Sequence, residues 1–164
     1  MADAVCVHVA KEVVKYIELS RPVLSQTTFT LERSYADWDY ELENTESVRI
    51  DVALMTTRQE SELLTRGGLL GYTVPLDVAI RQKLTLGDTD GRVSVAMVDG
   101  LMLLVQEIHE LFTETRIGGY LKACWKEDPK ITAAPVIKHL REMKQFTGLL
   151  RLVFIADKQT RQTE

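Results

Sequence analysis

The sequence has little of what reactive, exported or membrane-bound proteins need. Its two cysteines, Cys6 and Cys124, lie far apart, and with three histidines they form none of the close pairings of zinc sites. We therefore expect free thiols in a reducing compartment. The first residues lack the basic start and apolar run of a signal peptide, and no apolar run approaches the ~20 residues of a membrane span. The sequence predicts a cytoplasmic protein without membrane association.

Basic residues are fewer than acidic residues. The chain has 20 lysines and arginines against 24 aspartates and glutamates, a net charge of −4. Overall charge therefore argues against non-specific nucleic-acid binding. A chain of 164 residues suits one domain that buries ~70% of its unfolded surface, and no repeat or linker divides it. We expect a single domain over 1–164, with a flexible tail at 158–164.

No stretch carries a complete catalytic, cofactor or metal motif. Leu86 to Arg92 resembles the start of a calcium loop, but the first and twelfth positions would be Leu86 and Met97, which cannot coordinate a hard cation. His109 lacks the second histidine of a zinc helix and is predicted to be a surface histidine, and a metal site at His139 beside Glu142 has the same weakness. No nucleophile elbow or phosphate loop occurs. The sequence predicts no enzyme, cofactor or metal site.

Met143 to Asp157 is the most informative stretch because it alternates as a strand with two nonpolar faces. One face holds Phe146, Gly148, Leu150, Leu152, Phe154 and Ala156, and the other holds Thr147, Leu149, Arg151, Val153 and Ile155. We expect an interior strand whose second face needs cover from a helix, a loop or a neighbouring subunit. Leu149, Arg151 and Val153 are therefore candidate subunit contacts.

Apolar periodicity predicts the remaining elements. Two main helices are expected, over about Asp3–Leu19 and from near Arg92 to about Thr115. The second helix has Asp88 or Asp90 as its cap, and Gly100 indicates close approach to the sheet. Alternating strands are expected at Thr27–Tyr35, Ser47–Met55 and Gly71–Leu86. Carboxyl-terminal to the second helix we expect a short strand near Tyr120–Trp125, a polar turn at Glu127–Lys130 and a short segment at Pro135–Arg141.

The predicted strands have distinct inward and outward faces. Phe29, Leu31 and Tyr35 of the first strand are expected to point inward. In the next two strands the residues predicted to point outward include Arg49, Asp51, Ala53, Thr73, Asp77, Ala79 and Arg81. Pro75 marks part of its strand as an edge or a bulge. The order α-β-β-β-α-β-β predicts an α+β domain, in which two helices pack on a mainly antiparallel sheet.

Two connections are candidates for partner contacts. Thr56–Leu70 is predicted to be a long excursion between two strands, with the inter-strand loop at 57–70. Loops of this length are often functional. The candidate partner contacts in this loop are Gln59, Glu60, Glu62 and Arg66. Ala36–Ser47 is an acidic connector without a basic residue, and its candidate subunit-edge or lumen residues are Asp37, Asp39, Glu41 and Glu43.

Charge is unevenly distributed along the chain. After Arg116 only five carboxylates occur beside nine basic residues: Lys122, Lys126, Lys130, Lys138, Arg141, Lys144, Arg151, Lys158 and Arg161. An ordinary solvated surface accounts for this pattern. The alternative is a head-to-tail contact in which the acidic edge of one copy meets the basic edge of the next and closes a ring.

Four runs carry a resemblance to a known family: Phe29–Tyr35, Tyr72–Leu84, Val98–Ile108 and His139–Phe154. With the element order, they resemble the lambda-type tail terminators, small virion proteins of tailed bacteriophages encoded among head-to-tail joining genes. The resemblance covers nearly the whole chain. It implies a ring, usually of six copies, that caps the tail tube in the virion neck and offers a surface to the head connector, with no catalysis.

The implied partners are further copies of the chain, the tail tube protein and the head connector or neck proteins. DNA is expected to pass the lumen without specific binding, since an acidic lumen repels it. One alternative is a head-completion or neck protein of the same virion. Another is a small cytoplasmic enzyme or ligand-binding domain, for which Asp88, Asp90, His109 and Glu110 must converge in a pocket.

Overall fold

A computed structural model of the chain describes residues 4–35, 41–43, 47–54, 60–63, 70–84, 94–114 and 124–157. The helices in these ranges are α1 (Val5–Ser20) and α2 (Val95–Glu114), with a 3-10 turn at Arg21–Val23 and a π-helical turn at His139–Met143. The strands are β1 (Phe29–Ser34), β2 (Val48–Leu54), β3 (Glu60–Leu63), β4 (Leu70–Lys83), β5 (Cys124–Ala133) and β6 (Gln145–Asp157). The predicted α+β class is confirmed.

One mixed sheet holds the strands in the order β1-β2-β4-β6-β5, and β3 pairs with the first residues of β4. β1 runs parallel to β2, and all the other pairings are antiparallel. Parallel neighbours need a crossover of about a dozen residues, which the connector between Ser34 and Val48 supplies. β6 lies between β4 and β5, so the predicted interior position of this strand is confirmed.

Both helices pack on the face of the sheet that carries the regularly alternating apolar residues. On α1 the residues at helical spacing are buried, among them Val9, Val13 and Ile17, each 0–1% exposed. At the end of α1, the Arg21 guanidinium donates to Phe29 O at 2.8 Å and lies 3.9 Å from the centre of the Phe29 ring. Arg21 therefore ties the end of the helix to the start of β1.

α2 begins three residues later than expected. Ser94 Oγ accepts a hydrogen bond from Met97 N at 3.4 Å, so Ser94 takes the capping role predicted for Asp88 or Asp90. Both aspartates lie outside the described residues. Neither α1 nor α2 combines the length and the apolar character that spanning a membrane requires.

Gly148 in β6 is the glycine that lets α2 approach the sheet. A Cβ on Gly148 would lie 2.6 Å from Val105 Cγ2, far inside contact distance. A Cβ on Gly100 would meet only Gln26 Nε2, at an ordinary 3.5 Å. The prediction that Gly100 permits close approach to the sheet is therefore wrong, because the contact depends on the strand residue beneath the helix.

The predicted loop at 57–70 contains a strand, so that prediction needs correction. β3 pairs with β4 from Glu60 opposite Thr73 to Leu63 opposite Leu70. Four residues are too few for alternation to distinguish a strand from a loop, so only the backbone pairing reveals it. Glu60 and Glu62 lie on this strand, whereas Gln59 and Arg66 lie outside the described residues.

β5 is longer than expected and includes the predicted polar turn at Glu127–Lys130. Its register with β6 shifts between Trp125 and Glu127, again before Lys130, and once more before Ala133. An edge strand leaves one side of its backbone unpaired, so bulges and proline are tolerated there. The polar composition that indicates a turn belongs here to an irregular sheet edge.

Pro75 lies on β4, and its pairing with β6 shows neither the predicted edge nor the predicted bulge. Its strand pairs with β6 in an unbroken register from Gly71 opposite Asp157 to Lys83 opposite Gln145. On the other side of β4 the pairing with β2 ends at Leu76 and the pairing with β3 ends at Thr73. Pro75 lies between these two paired stretches, and residues 55–59, which connect β2 to β3, are outside the described residues.

Candidate interaction surfaces

The second face of the sheet, opposite the helices, is the first candidate site and carries buried charges. Asp51 on β2 accepts a hydrogen bond from Arg81 Nη2 at 2.8 Å and from Arg49 Nε at 3.1 Å. Asp51 and Arg81 are 1% and 0% exposed. Ala53 and Ala79 on this face are also buried, yet lie outside the main hydrophobic core. The prediction that Asp51, Ala53, Ala79 and Arg81 point outward from the core is wrong, because all four residues are buried.

The strand register explains why Asp51 lies between two arginines. Arg49 on β2 is directly opposite Arg81 on β4, an arrangement that repels without a counter-ion. The Asp51 carboxylate supplies that counter-charge, and Arg49 Nη2 also contacts Glu32 on β1 at 2.9 Å. The charges thus link β1, β2 and β4 across this face, which favours one strand register over the alternatives.

A second ion pair continues this charged row onto β6. Asp77 is directly opposite Arg151, and Arg151 Nε donates to Asp77 Oδ1 at 3.1 Å. The Asp77 side chain is 8% exposed and that of Arg151 is 41% exposed. The face is therefore buried at β2 and β4 but opens towards solvent at β6.

Leu149, Val153 and Ile155 are half-buried on the same open part of β6, around Arg151. Their neighbours on the opposite face, Leu150 and Leu152, are fully buried. The second face of an interior strand thus presents apolar side chains that the described chain covers only in part. This arrangement suits contact with another protein surface.

The acidic connector reaches one end of the second face. Leu42 is buried, and its N–H donates to Gln145 Oε1 at 2.8 Å. Glu41 forms an ion pair with Lys83, whose Nζ also donates to Met143 O at 2.6 Å. Glu41 and Glu43 are exposed on either side of this anchor. The other two acidic candidates of the connector, Asp37 and Asp39, lie outside the described residues.

The histidines contribute to the fold in ways that spacing did not reveal. His139 is 1% exposed, and its Nδ1 lies 2.7 Å from Thr147 Oγ1 on the second face of β6. His109 is half-buried, with Nε2 2.9 Å from Pro129 O, so it links α2 to β5. The prediction that His109 is a surface histidine is wrong, because its ring is half-buried and bonds to β5.

A groove between α2 and β5 is the second candidate surface. It has a volume of about 600 Å³ and is lined by Asp99, Met102, Leu103, Val105, Gln106, Ile131 and Ala134. Leu103 and Ile131, which face this groove, are 47% and 43% exposed. Sequence reasoning missed it, although Met102 and Leu103 fall outside the core-facing stripe of α2. That excess of apolar residues was the available signal.

The described residues contain no group of three His, Cys, Asp or Glu side chains placed to hold a metal ion. His109 and Glu110 are near each other on α2, but Asp88 and Asp90, which an enzyme site would also need, are not described. Comparison with known proteins finds no family model that matches the chain and no curated protein with significant similarity to it.

Proposed function

We propose that this protein is a structural virion protein of a tailed bacteriophage. In this proposal copies of the chain form a ring, of six subunits as in the family it resembles, that caps the tail tube and joins it to the head connector. The observation that carries the proposal is the half-buried apolar stretch Leu149, Val153 and Ile155 on an interior strand. A neighbouring subunit that covers these side chains would remove their remaining apolar surface from water, which favours association.

Ring assembly requires two different contact surfaces on each subunit. A closed ring uses heterologous contacts, in which one surface of a subunit meets a different surface of the next. The open part of β6 and the groove between α2 and β5 are two such surfaces. The unequal distribution of acidic and basic residues along the chain supports the same arrangement, since unlike edges attract.

The contact with the tail tube is proposed for the hairpin of β3 and β4 and its flanking residues. β3 pairs with the part of β4 that lies beyond its pairing with β2. This end of the sheet therefore consists of β3 and the first residues of β4. Gln59, Glu60, Glu62 and Arg66 belong to this region. The net charge of −4 fits a lumen that DNA crosses without being held.

Loss of the protein in the producing phage tests the role. The proposal predicts tails of uncontrolled length when particles are measured by electron microscopy. Tails of normal length beside unjoined heads would contradict it and favour the head-completion or neck alternative. Light scattering of the purified chain, with and without tube protein, tests assembly separately, and a strict monomer in both samples would contradict the ring.

A further inference from the structure

The second face of the sheet buries polar side chains, whereas the face under the helices buries apolar ones. Among the described residues, every buried polar side chain except His8 lies on this second face or, in the case of His139, bonds to it: Asp51, Thr73, Asp77, Arg81, Gln145 and Thr147. Leu42 of the acidic connector is buried at this face but does not belong to the hydrophobic core. The connector is thus attached to a polar layer that is separate from the core.

Few contacts hold residues 41–43, the described part of the connector, which we call the clasp. Leu42 N donates to Gln145 Oε1 at 2.8 Å, and Glu41 forms an ion pair with Lys83. The Glu41 side chain is 61% exposed, so its ion pair adds little stability in water. Burial of the Leu42 side chain and one hydrogen bond therefore supply most of the attachment.

The sheet beneath the clasp has contacts of its own. Lys83 on β4 is directly opposite Gln145 on β6, at the end of an unbroken antiparallel register. Leu84 N donates to Lys144 O at 2.9 Å, and Lys83 Nζ donates to Met143 O at 2.6 Å. These bonds include no residue of the clasp. Detaching the clasp therefore leaves this end of the sheet paired.

Detachment is inexpensive because polar groups gain water as they lose the clasp. The Gln145 amide and the Lys83 ammonium exchange one protein partner for water, so their net loss is small. Leu42 is the apolar side chain that becomes exposed. Tyr35, which precedes the connector, was predicted to point inward but is 60% exposed, so it adds no buried anchor. Core helices and strands instead expose many apolar side chains together and open far more rarely.

From these observations we infer a conformational device: the clasp detaches from the sheet as a local unit while both helices and the paired strands stay folded. In the closed state Leu42 is buried and Glu41 neutralises Lys83. In the open state Lys83 and Gln145 face water, and the clasp is available for other contacts. The inference is independent of the proposed function, because it concerns a single chain.

Native-state hydrogen exchange of the full chain, followed by NMR, tests the inference. After correction for intrinsic rates, the Leu42 amide is expected to exchange at least ~100-fold faster than the amides of Val13 in α1 and Leu150 in β6. It should still exchange more slowly than an unprotected amide. Low urea should leave the rate at Leu42 unchanged and raise the rate at Val13, because global unfolding exposes much more surface. The Leu84 amide should behave like that of Val13.

Three results of this experiment would overturn the inference. Equal exchange and equal urea dependence at Leu42 and Val13 would show that the clasp opens only with the core. Joint exchange of Leu42 and Leu84 would show that the end of the sheet opens with it. A Leu42 amide without any protection would show that the closed state does not form.

Two leucines of equal burial give a second test. Leu42 and Leu54 are 7% and 8% exposed, but only Leu54 belongs to the hydrophobic core. A chain that loses its clasp reverts to the open state, so Leu42→Ala can lose no more stability than local opening requires. It should shift the midpoint of urea unfolding by less than about half the shift of Leu54→Ala. Equal shifts would overturn the inference.

Two neighbouring carboxylates test the polar part of the clasp. Glu41→Gln removes the charge that pairs with Lys83 and is expected to raise the exchange rate at Leu42 about 2–5-fold, with Val13 unchanged. Glu43→Gln is the matched control, since Glu43 is exposed and makes no hydrogen bond or ion pair in the part of the chain that the structure describes. Equal effects of both substitutions would show that the ion pair does not hold the clasp.

Discussion

Asp51 and Arg81 form an ion pair at 2.8 Å with both side chains withdrawn from water, at 1% and 0% exposure. The pair joins β2 to β4 on the sheet face opposite the helices. Burying two charges is expensive unless each keeps its partner and its hydrogen bonds. Asp51 satisfies this condition by accepting from Arg49 as well.

Replacing Asp51 by Asn should strongly destabilise the fold. The buried Arg81 guanidinium loses its carboxylate, and breaking a buried pair in this way costs about 3–5 kcal/mol. The free energy of unfolding in urea measures this loss. Glu32→Gln is the control, because Glu32 is 53% exposed and its contact with Arg49 is worth ~0–1 kcal/mol in water. Equal, small effects of both substitutions would show that Asp51 does not hold the two strands.

Gly148 and Gly100 allow a matched test of helix packing. Gly148→Ala should destabilise by about 1–3 kcal/mol, because its Cβ would lie 2.6 Å from Val105 Cγ2. Gly100→Ala should be neutral or stabilising by up to ~1 kcal/mol, because alanine favours a helix and meets only an ordinary contact. Thermal unfolding of the two variants compares them directly. The reverse order would place the close approach of α2 elsewhere.

Substitutions of two neighbouring leucines on β6 distinguish an effect on assembly from an effect on folding. Leu150 is fully buried among the helices, so Leu150→Asp should prevent folding. Leu149 is half-buried on the opposite face, so Leu149→Asp, like Val153→Asp, should impair assembly at least as much as stability. Light scattering and urea unfolding measure the two effects. A Leu149→Asp chain that forms rings of unchanged stability would make this face ordinary domain surface.

Substitutions of two threonines test whether the hydrogen bond of the buried His139 stabilises the fold. Thr147 is 0% exposed and its Oγ1 lies 2.7 Å from His139 Nδ1, so Thr147→Val should cost about 1–3 kcal/mol. Thr132→Val on the neighbouring strand removes only an exposed hydroxyl contact with Leu149 O and should stay within about 0.5 kcal/mol of wild type. Chemical denaturation of both proteins is the measurement. A harmless Thr147→Val would show that this hydrogen bond contributes no net stability.

Alternation along the chain predicted β1, β2, β4 and β6 because each buries one face against helices. Apolar side chains of period two indicate strands and those of period 3.6 indicate helices, and both periods can be read locally in one sequence. β3 and the irregular part of β5 were missed, because a short hairpin strand and a bulged edge depend on backbone pairing with distant residues.

The second face of the sheet also could not be predicted from local sequence patterns. Charge and alternation placed Asp51 and Arg81 in solvent, since those residue types are rarely fully buried without a partner. Their pairing depends on strand register, which brings residues 30 positions apart to hydrogen-bond distance. The groove between α2 and β5 likewise arises from two elements that are separate in sequence.

By itself the sequence determined the class of fold, the two long helices, the interior position of Gln145–Asp157 and the two-sided apolar character of that strand. These properties follow from residue types at fixed spacing, which act locally. The tertiary structure decided which polar side chains are buried, which glycine contacts a helix, and which apolar side chains stay exposed at Tyr35 and in the groove. Those outcomes depend on strand order and register, since both bring together residues that local spacing cannot relate.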